Sequence, residues 1–377
     1  MRLFFGVLIS LIACAQGLAA QTPTAPSAAA ISNVDQRALA KDLANRLESD
    51  FVYPEQGKRY AAALRANADK GAYDSLKGAE LAKKLSDDLQ NVAVDGHLRV
   101  MFEGAGGGPQ IVVKRPPDGA GDPPAGKGKP VMIKMAPLPT IEHAGWIAPD
   151  IAFVRFNLFP GDPEIIEAAR KFMAAHAGAK AIIFDVRTHR GGGLDEMDAI
   201  FPWLFAKPTR LLTMATRKSV DEAGGSPIAD VPTLRIVPAD PSFVTREHWV
   251  TPGKDKRLNK TKVFVLTSGF SASAAEHFVL ALKQTKRATI IGRTTYGANH
   301  FGGDQDLGRG YTVFLPVGRA YNPKTGKDWE GVGIAPDIDV APEDALIKAL
   351  TLAGVPSENA ARVSAEIAPK MPMVGRR

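Results

Sequence analysis

The chain has 377 residues, 45% of them hydrophobic and 23% charged, enough for one large domain or two modest ones around a sizeable core. Its formal charge is +7, but lysines and arginines are scattered and no run of five like charges occurs, so nothing in the balance argues for a nucleic-acid partner. Cys14 is the single cysteine; once a leader containing it is removed, disulfides, thiol catalysis and cysteine-ligated zinc are excluded.

Such a leader is expected. Met1 and Arg2 precede the apolar run LFFGVLISLIACA and the small residues QGLAA, the pattern of a signal peptide (residues 1–20) that is too short to span a bilayer and is cleaved near Ala19 or Ala20. Leu11-Ile12-Ala13-Cys14 also fits a bacterial lipoprotein cleavage box, which would leave Cys14 as a lipid-anchored terminus. Ordinary cleavage ranks higher because acceptable sites follow. Both routes predict export, to the periplasm or outside the cell, with no span left in the mature chain.

Residues 21–32 are a Pro/Ala/Ser linker. Three amphipathic helices follow within a small helical domain assigned to residues 33–100; Leu39, Leu43 and Leu47 keep helical spacing in the first, and Leu81, Leu85 and Leu89 in the third. VAVDGHLRVMF then reads as a strand entered through Asp95-Gly96, with His97 at its entrance. In isolation that histidine is an ordinary turn or strand-end residue. Residues 101–145 hold a Gly/Pro-rich loop region. From 146 to 355 strands and helices alternate, which predicts an α/β core with ligands outside the carboxyl ends of its strands. GWIAPDIAFVRFNLF is expected to be one strand, the stretch from Lys207 to about Lys260 an excursion or lid, and Tyr296 to Gly303 a loop. Residues 356–377 are expected to be a peripheral tail.

Three stretches carry chemistry-bearing residues. VFVLTSGFSASAAEHF passes from a strand through Gly269 into a helix, so Ser273 sits where unpaired helix N–H groups point outward. A serine there suits a nucleophile, yet Ser273-Ala274-Ala275-Glu276 is also a capping box, and local pattern alone favours capping. Ser271 is an alternative cap that would leave the Ser273 hydroxyl free. In DVRTHRGGG a buried strand runs into Gly191, Gly192 and Gly193, whose backbone can approach a ligand or simply turn. In WEGVGIAPD, Glu330 stands between tryptophan and glycine, placed either to orient a histidine or to face solvent. No phosphate-loop, nucleotide or metal motif is present, so no cofactor and no metal are expected.

Taken in order, DGHLRV, FDVRTHRGGG, LTSGFSASAAEHF, RATIIGRTTYGA and WEGVGIAPDIDV resemble the tail-specific, or C-terminal-processing, serine proteases, and within them the branch of the tricorn core protease and the interphotoreceptor retinol-binding protein. The resemblance implies a crotonase/ClpP-like spiral core behind a helical amino-terminal domain. It implies Ser273 as nucleophile, His97 as general base, Glu330 as the carboxylate orienting that base, and an oxyanion hole from Gly191 or Gly192 with the N–H of Ala274. The chain departs from the other branch at Ala298, where that branch carries a lysine, so a Ser–Lys dyad is disfavoured. His189 replaces the family asparagine; it competes for the role of base and is expected to be structural or substrate-lining. The peptide-binding PDZ domain is missing. The implied partner is a protein or peptide substrate. Two alternatives stand: a silent hydrophobic-ligand or peptide binder on the same scaffold, and a hydrolase of non-peptide esters or amides.

Overall fold

The computed structural model describes residues 36–103 and 138–371. The expected leader, Cys14, the linker, residues 104–137 of the Gly/Pro-rich region and residues 372–377 lie outside the described residues.

Three helices come first: α1 (Gln36–Asp50), α2 (Pro54–Asp69) and α3 (Gly78–Val92). Pro54 both stops the first and opens the second, because a proline at the first helical position loses no hydrogen bond. Leu39, Leu43 and Leu47 are buried together with Leu81, Leu85 and Leu89, as their spacing predicts. These helices do not close a core among themselves. The cluster continues into Tyr311, Val313, Leu315 and Val317 of a β-sheet.

After β1 (Arg99–Phe102) come β2 (Ile141–Ala148), β3 (Ile151–Phe156), α4 (Pro163–Ala175), β4 (Ala181–Asp185), α5 (Asp195–Leu204), β5 (Thr209–Arg217), α6 (Lys218–Glu222), β6 (Leu234–Val237) and β7 (Phe243–Val250). The chain continues through β8 (Lys262–Thr267), α7 (Ala274–Gln284), β9 (Thr289–Gly292), β10 (His300–Gly308), β11 (Tyr311–Tyr321), β12 (Ile338–Asp339), α8 (Ala345–Ala353) and α9 (Ser357–Glu366). One six-stranded sheet has the order β12-β9-β8-β4-β3-β2, parallel except for the antiparallel edge strand β2. Every residue of β3 and β4 is buried, because α4, α5 and α7 cover one face and α8 and α9 the other. The second sheet is antiparallel, in the order β1-β11-β5-β7-β6 with β10 also on β11.

Four expectations change. The single strand expected from Gly145 to Phe159 is the β2–β3 hairpin, turned at Asp150 with φ 62. The excursion after Lys207 supplies β5, β6 and β7 of the second sheet. Phe301-Gly302-Gly303 is strand rather than loop: a Cβ on Gly302 would lie 1.9 Å from the Leu315 carbonyl oxygen, so glycine there marks close strand approach. Residues beyond 355 are not all peripheral, since α9 buries Ala360 and Val363, and the Ile367 carbonyl accepts from Arg155 Nη2 at 2.7 Å.

Candidate active site

β4 and β8 are parallel neighbours with Asp185 in register with Leu266, so both chains leave the sheet at the same edge. The end of β4 is anchored by a buried ion cluster in which Arg155 and Arg187 both donate to the Asp185 carboxylate. Burial raises that carboxyl, but the two guanidinium groups outweigh it and hold it at about 2. The turn after β8 is fastened to this end: Ser268 Oγ donates to the Arg187 carbonyl (2.5 Å), Ser271 Oγ to the Val186 carbonyl (2.8 Å), and Ala272 N–H to the His189 carbonyl (3.0 Å). Ser271 is therefore committed to the turn and is not the helix cap.

Ser273 follows at φ 57 and ψ −118, a left-handed conformation rare for a residue with a side chain. Strain of this kind costs on the order of 1–3 kcal/mol and persists only where the surroundings impose it. The glutamate arm of the capping box forms, Glu276 Oε2 accepting the Ser273 N–H at 2.9 Å, while the Glu276 N–H donates to the Ser273 backbone carbonyl at 2.8 Å. Capping and a strained, half-buried corner thus coexist in one residue. Ala274 begins α7, so its N–H is among the helix donors with no acceptor inside the helix.

The glycine segment lies against this corner. A Cβ built on Gly191 (φ 119) would come 2.9 Å from Ser273 Cβ and 3.2 Å from its Oγ. The Gly191 carbonyl and Gly193 N–H both bond to Phe159, which turns the intervening Gly192 N–H toward the opposite edge. The Gly191 N–H is already directed to His189 Nδ1 at 3.1 Å. The Gly191 N–H is thus occupied, while the Gly191 backbone makes the close approach to Ser273. His189 is fully buried, edge-on to Phe159, and burial pushes its ring down to about 3. It shapes the glycine segment and does not suit a general base.

His97 arrives from the other side. Its backbone N–H and that of Leu98 donate to Asp95 Oδ1 (2.8 and 2.9 Å), and its ring stacks on Phe314 at 5.2 Å. Burial lowers the imidazole to about 4, so the ring is neutral at physiological pH, and Nδ1 is buried without a hydrogen-bond partner among the described residues. Ser273 Oγ and the His97 ring make no direct hydrogen bond to each other among the described residues. Glu330, expected to orient the imidazole, orients backbone instead: Oε1 accepts from Gly96 N–H (2.7 Å), and Oε2 from Asn299 (2.6 Å) and His300 (3.1 Å). Its hold on His97 passes through the neighbouring Gly96. At Gly96 an added Cβ would lie 3.0 Å from Ala298 Cβ and 3.2 Å from Glu330 Oε1. Glycine at 96 thus lets the turn that carries His97 pack against Ala298.

Glu276 does more than its capping pattern signals. Its buried carboxylate also accepts from Thr295 Oγ1 (2.6 Å), Gly297 N–H (2.7 Å) and Ala298 N–H (2.8 Å), tying the serine corner to the loop that packs on Gly96. Burial pushes this carboxyl up to about 7 against the pull of those donors. The capping box was visible in sequence, whereas the partners some twenty residues on were not. Asp95, His300 and Glu330 bring three metal-capable atoms within 4.8 Å of one another. His300 Nδ1, however, sits 2.7 Å from Asp95 Oδ2, and both Glu330 oxygens accept backbone N–H groups, which leaves His300 Nε2 as the atom of this cluster that is buried without a hydrogen-bond partner among the described residues.

The model of peptidase family S41 matches residues 150–340, half of the chain, and this stretch contains both edges of the corner. The chain belongs to peptidase family S41. Among S41-type relatives, a chloroplastic C-terminal processing peptidase of Tetradesmus obliquus is 36% identical over 83 residues, 22% of this chain and 18% of that protein. A carboxy-terminal-processing protease of Bartonella bacilliformis is 38% identical over 78 residues, 21% of this chain and again 18% of the relative. The matched stretch is thus under a fifth of either relative's length. In fold the chain is similar to the photosystem II D1 C-terminal processing protease (TM-score 0.51, 17% identity, 89% of this chain and 99% of that one). It is also similar to a solved structure from Parabacteroides merdae (TM-score 0.55, 17% identity, 86% and 98%). No described helix is long and apolar enough to cross a membrane.

Proposed function

We propose that this S41 chain is an exported serine peptidase that cleaves peptide bonds through an acyl-enzyme formed on Ser273, on a crotonase/ClpP-like spiral core with the amino-terminal helices beside it. The observation that carries the proposal is Ser273 itself, a strained residue at a strand-to-helix corner with the Gly191 backbone packed against its side chain. His97 is the base in this mechanism. As a neutral imidazole it takes the hydroxyl proton as Oγ attacks the scissile carbonyl, then returns it to the leaving amine; water repeats the sequence to release the acid. The first step needs the ring and the hydroxyl within about 2.6–3.2 Å, a contact made when substrate is bound, since catalytic hydrogen bonds in unliganded sites often tighten only in the complex. The oxyanion is held by the N–H groups of Gly192 and Ala274, each worth on the order of 2.7–4 kcal/mol to the transition state. Glu330 and Asp95 set the turn bearing His97.

The names of the two sequence relatives point to carboxyl-terminal processing as the specific task, and the signal-peptide pattern to the periplasm or outside as its place. A fluorophosphonate that labels the native protein at one site, with labelling and peptide cleavage abolished in Ser273→Ala of unchanged far-UV circular dichroism, is the expected result. Full activity in Ser273→Ala excludes the assignment, and labelling with cleavage of esters but not peptides redirects it to a non-peptide hydrolase.

A further inference from the structure

Among the buried histidines to which the reaction assigned above gives no role, His300 is in contact with the turn that carries His97. His300 opens β10, is 4% exposed, and places Nδ1 2.7 Å from Asp95 Oδ2 and 3.8 Å from Glu330 Oε2. Each of these carboxylates uses its other oxygen on the turn that carries His97: Asp95 Oδ1 accepts from His97 and Leu98 N–H, and Glu330 Oε1 from Gly96 N–H. Gln90 completes the frame, donating to the Asp95 and Leu98 carbonyls and accepting the Asp95 N–H. Two carboxylates drawn together in a buried site repel each other unless one holds a proton or a cation lies between them. The imidazole of His300 hydrogen-bonds Asp95 and stands at ion-pair distance from Glu330, with Nε2 buried and unpartnered among the described residues.

The surrounding charges agree in sign. Burial disfavours a charged His300, but its hydrogen bond to Asp95 and the negative charges of Asp95, Glu330 and Asp328 raise it above its usual value. Burial and the Asp95 charge raise Glu330, and the His300 charge draws it back. Other groups face the ring as well. Tyr53 is edge-on at 5.4 Å, with its hydroxyl 2.9 Å from Asp328 Oδ2 and pushed up to about 12 by burial, so it stays neutral. Arg319 stands opposite His300 in the β10–β11 register and bonds both Tyr53 and Asp328; it and any charge on His97 oppose the proton on His300. Three carboxylates stand against one nearby guanidinium.

We propose that His300 is a positioning residue of this site: as an imidazolium it bridges Asp95 and Glu330, and so holds the Asp95-Gly96-His97 turn against the start of β10. Its catalytic consequence rests on the peptidase activity proposed above, whereas the bridge can be read without any turnover.

Histidine NMR on the full chain carrying Ser273→Ala, with each ring assigned by through-bond correlation, is expected to give His300 a titration midpoint above 6.5. A midpoint below 6.5 overturns the proposal, and this arm stands even if His300→Gln fails to fold. In the active chain, His300→Gln keeps a ring-sized polar side chain but no charge. Its kcat on a peptide is expected to fall at least tenfold with KM within twofold. The alkaline limb of the wild-type pH profile, where the bridge loses its proton, is expected to disappear. A His300→Gln protein whose kcat and pH profile both match wild type within twofold overturns the positioning role. A wild type that no fluorophosphonate labels overturns the peptidase assignment instead, and the NMR midpoint still decides the bridge.

Discussion

Replacing Glu276 by glutamine tests how the serine corner is held. The wild-type carboxylate meets four donors, Thr295 Oγ1 and Gly297 N–H on one oxygen, Ala298 N–H and Ser273 N–H on the other. A carboxamide keeps one acceptor oxygen and turns two N–H donors toward the remaining pair. With the oxygen on the Ala298 and Ser273 side, the Gly297 N–H faces a donor, and the Thr295 hydroxyl, which already accepts the Ile334 N–H, must find another acceptor for its proton. The opposite orientation strands two backbone N–H groups, so the first is preferred. Each buried unsatisfied donor costs about 1–3 kcal/mol, so Glu276→Gln is expected to lower unfolding free energy by at least roughly 2 kcal/mol. Because Ser273 N–H stays satisfied, kcat/KM is expected to fall by no more than about tenfold. Glu276→Ala strands all four donors and leaves a cavity; a loss above about 4 kcal/mol and near-complete inactivity are expected. Urea unfolding at fixed pH and peptide kinetics measure both. A Glu276→Gln protein within about 0.5 kcal/mol of wild type would refute the four-donor clamp.

Gly191→Ala puts a Cβ 2.9 Å from Ser273 Cβ at a φ of 119, so the fold is expected to survive with a few degrees lost in Tm while kcat/KM drops at least about a hundredfold; wild-type kinetics would show that the close approach is unimportant. Ala298→Lys is expected to destabilise by about 1–3 kcal/mol through overpacking against Gly96 and to build no working Ser–Lys dyad, which a gain in peptidase activity on a His97→Ala background would contradict. His97, lowered by burial to about 4, is neutral above that pH, so the acid limb of kcat/KM is expected near pH 4; a limb at 6.5 or higher would mean that another group is the base. The same shift has a stability sign: between about 4 and 6.5 the unfolded chain binds this proton and the folded chain does not, so His97 contributes stability that grows as pH rises through that window and is lost as pH falls, measurable in His97→Gln against wild type.

The residues that sequence alone identified are those whose signal is local. The strand-to-helix corner at Ser273 and its capping box span a few consecutive residues, and the helix periodicity of α1 to α3 repeats every turn. The glycine run at the end of β4 is likewise contiguous, as is the strand and helix order that predicted an α/β core. His97 and Glu330 carried no such signal of their own and entered only through resemblance to a family. The tertiary structure decided everything that depends on partners far along the chain. Glu330 meets Gly96 across 234 residues and Asn299 across 31, and so fixes backbone rather than the imidazole. Gly302 is strand because β11 lies beside it, and His189 is buried because Phe159 and the glycine segment close over it. Hydrogen-bond donors and acceptors are fixed by residue type, but which of them meet in a low-dielectric interior depends on how the chain folds back on itself. The strand-to-helix corner at Ser273 was therefore legible in its own residues, while the four-donor arrangement around Glu276 arises from contacts made only in the folded chain.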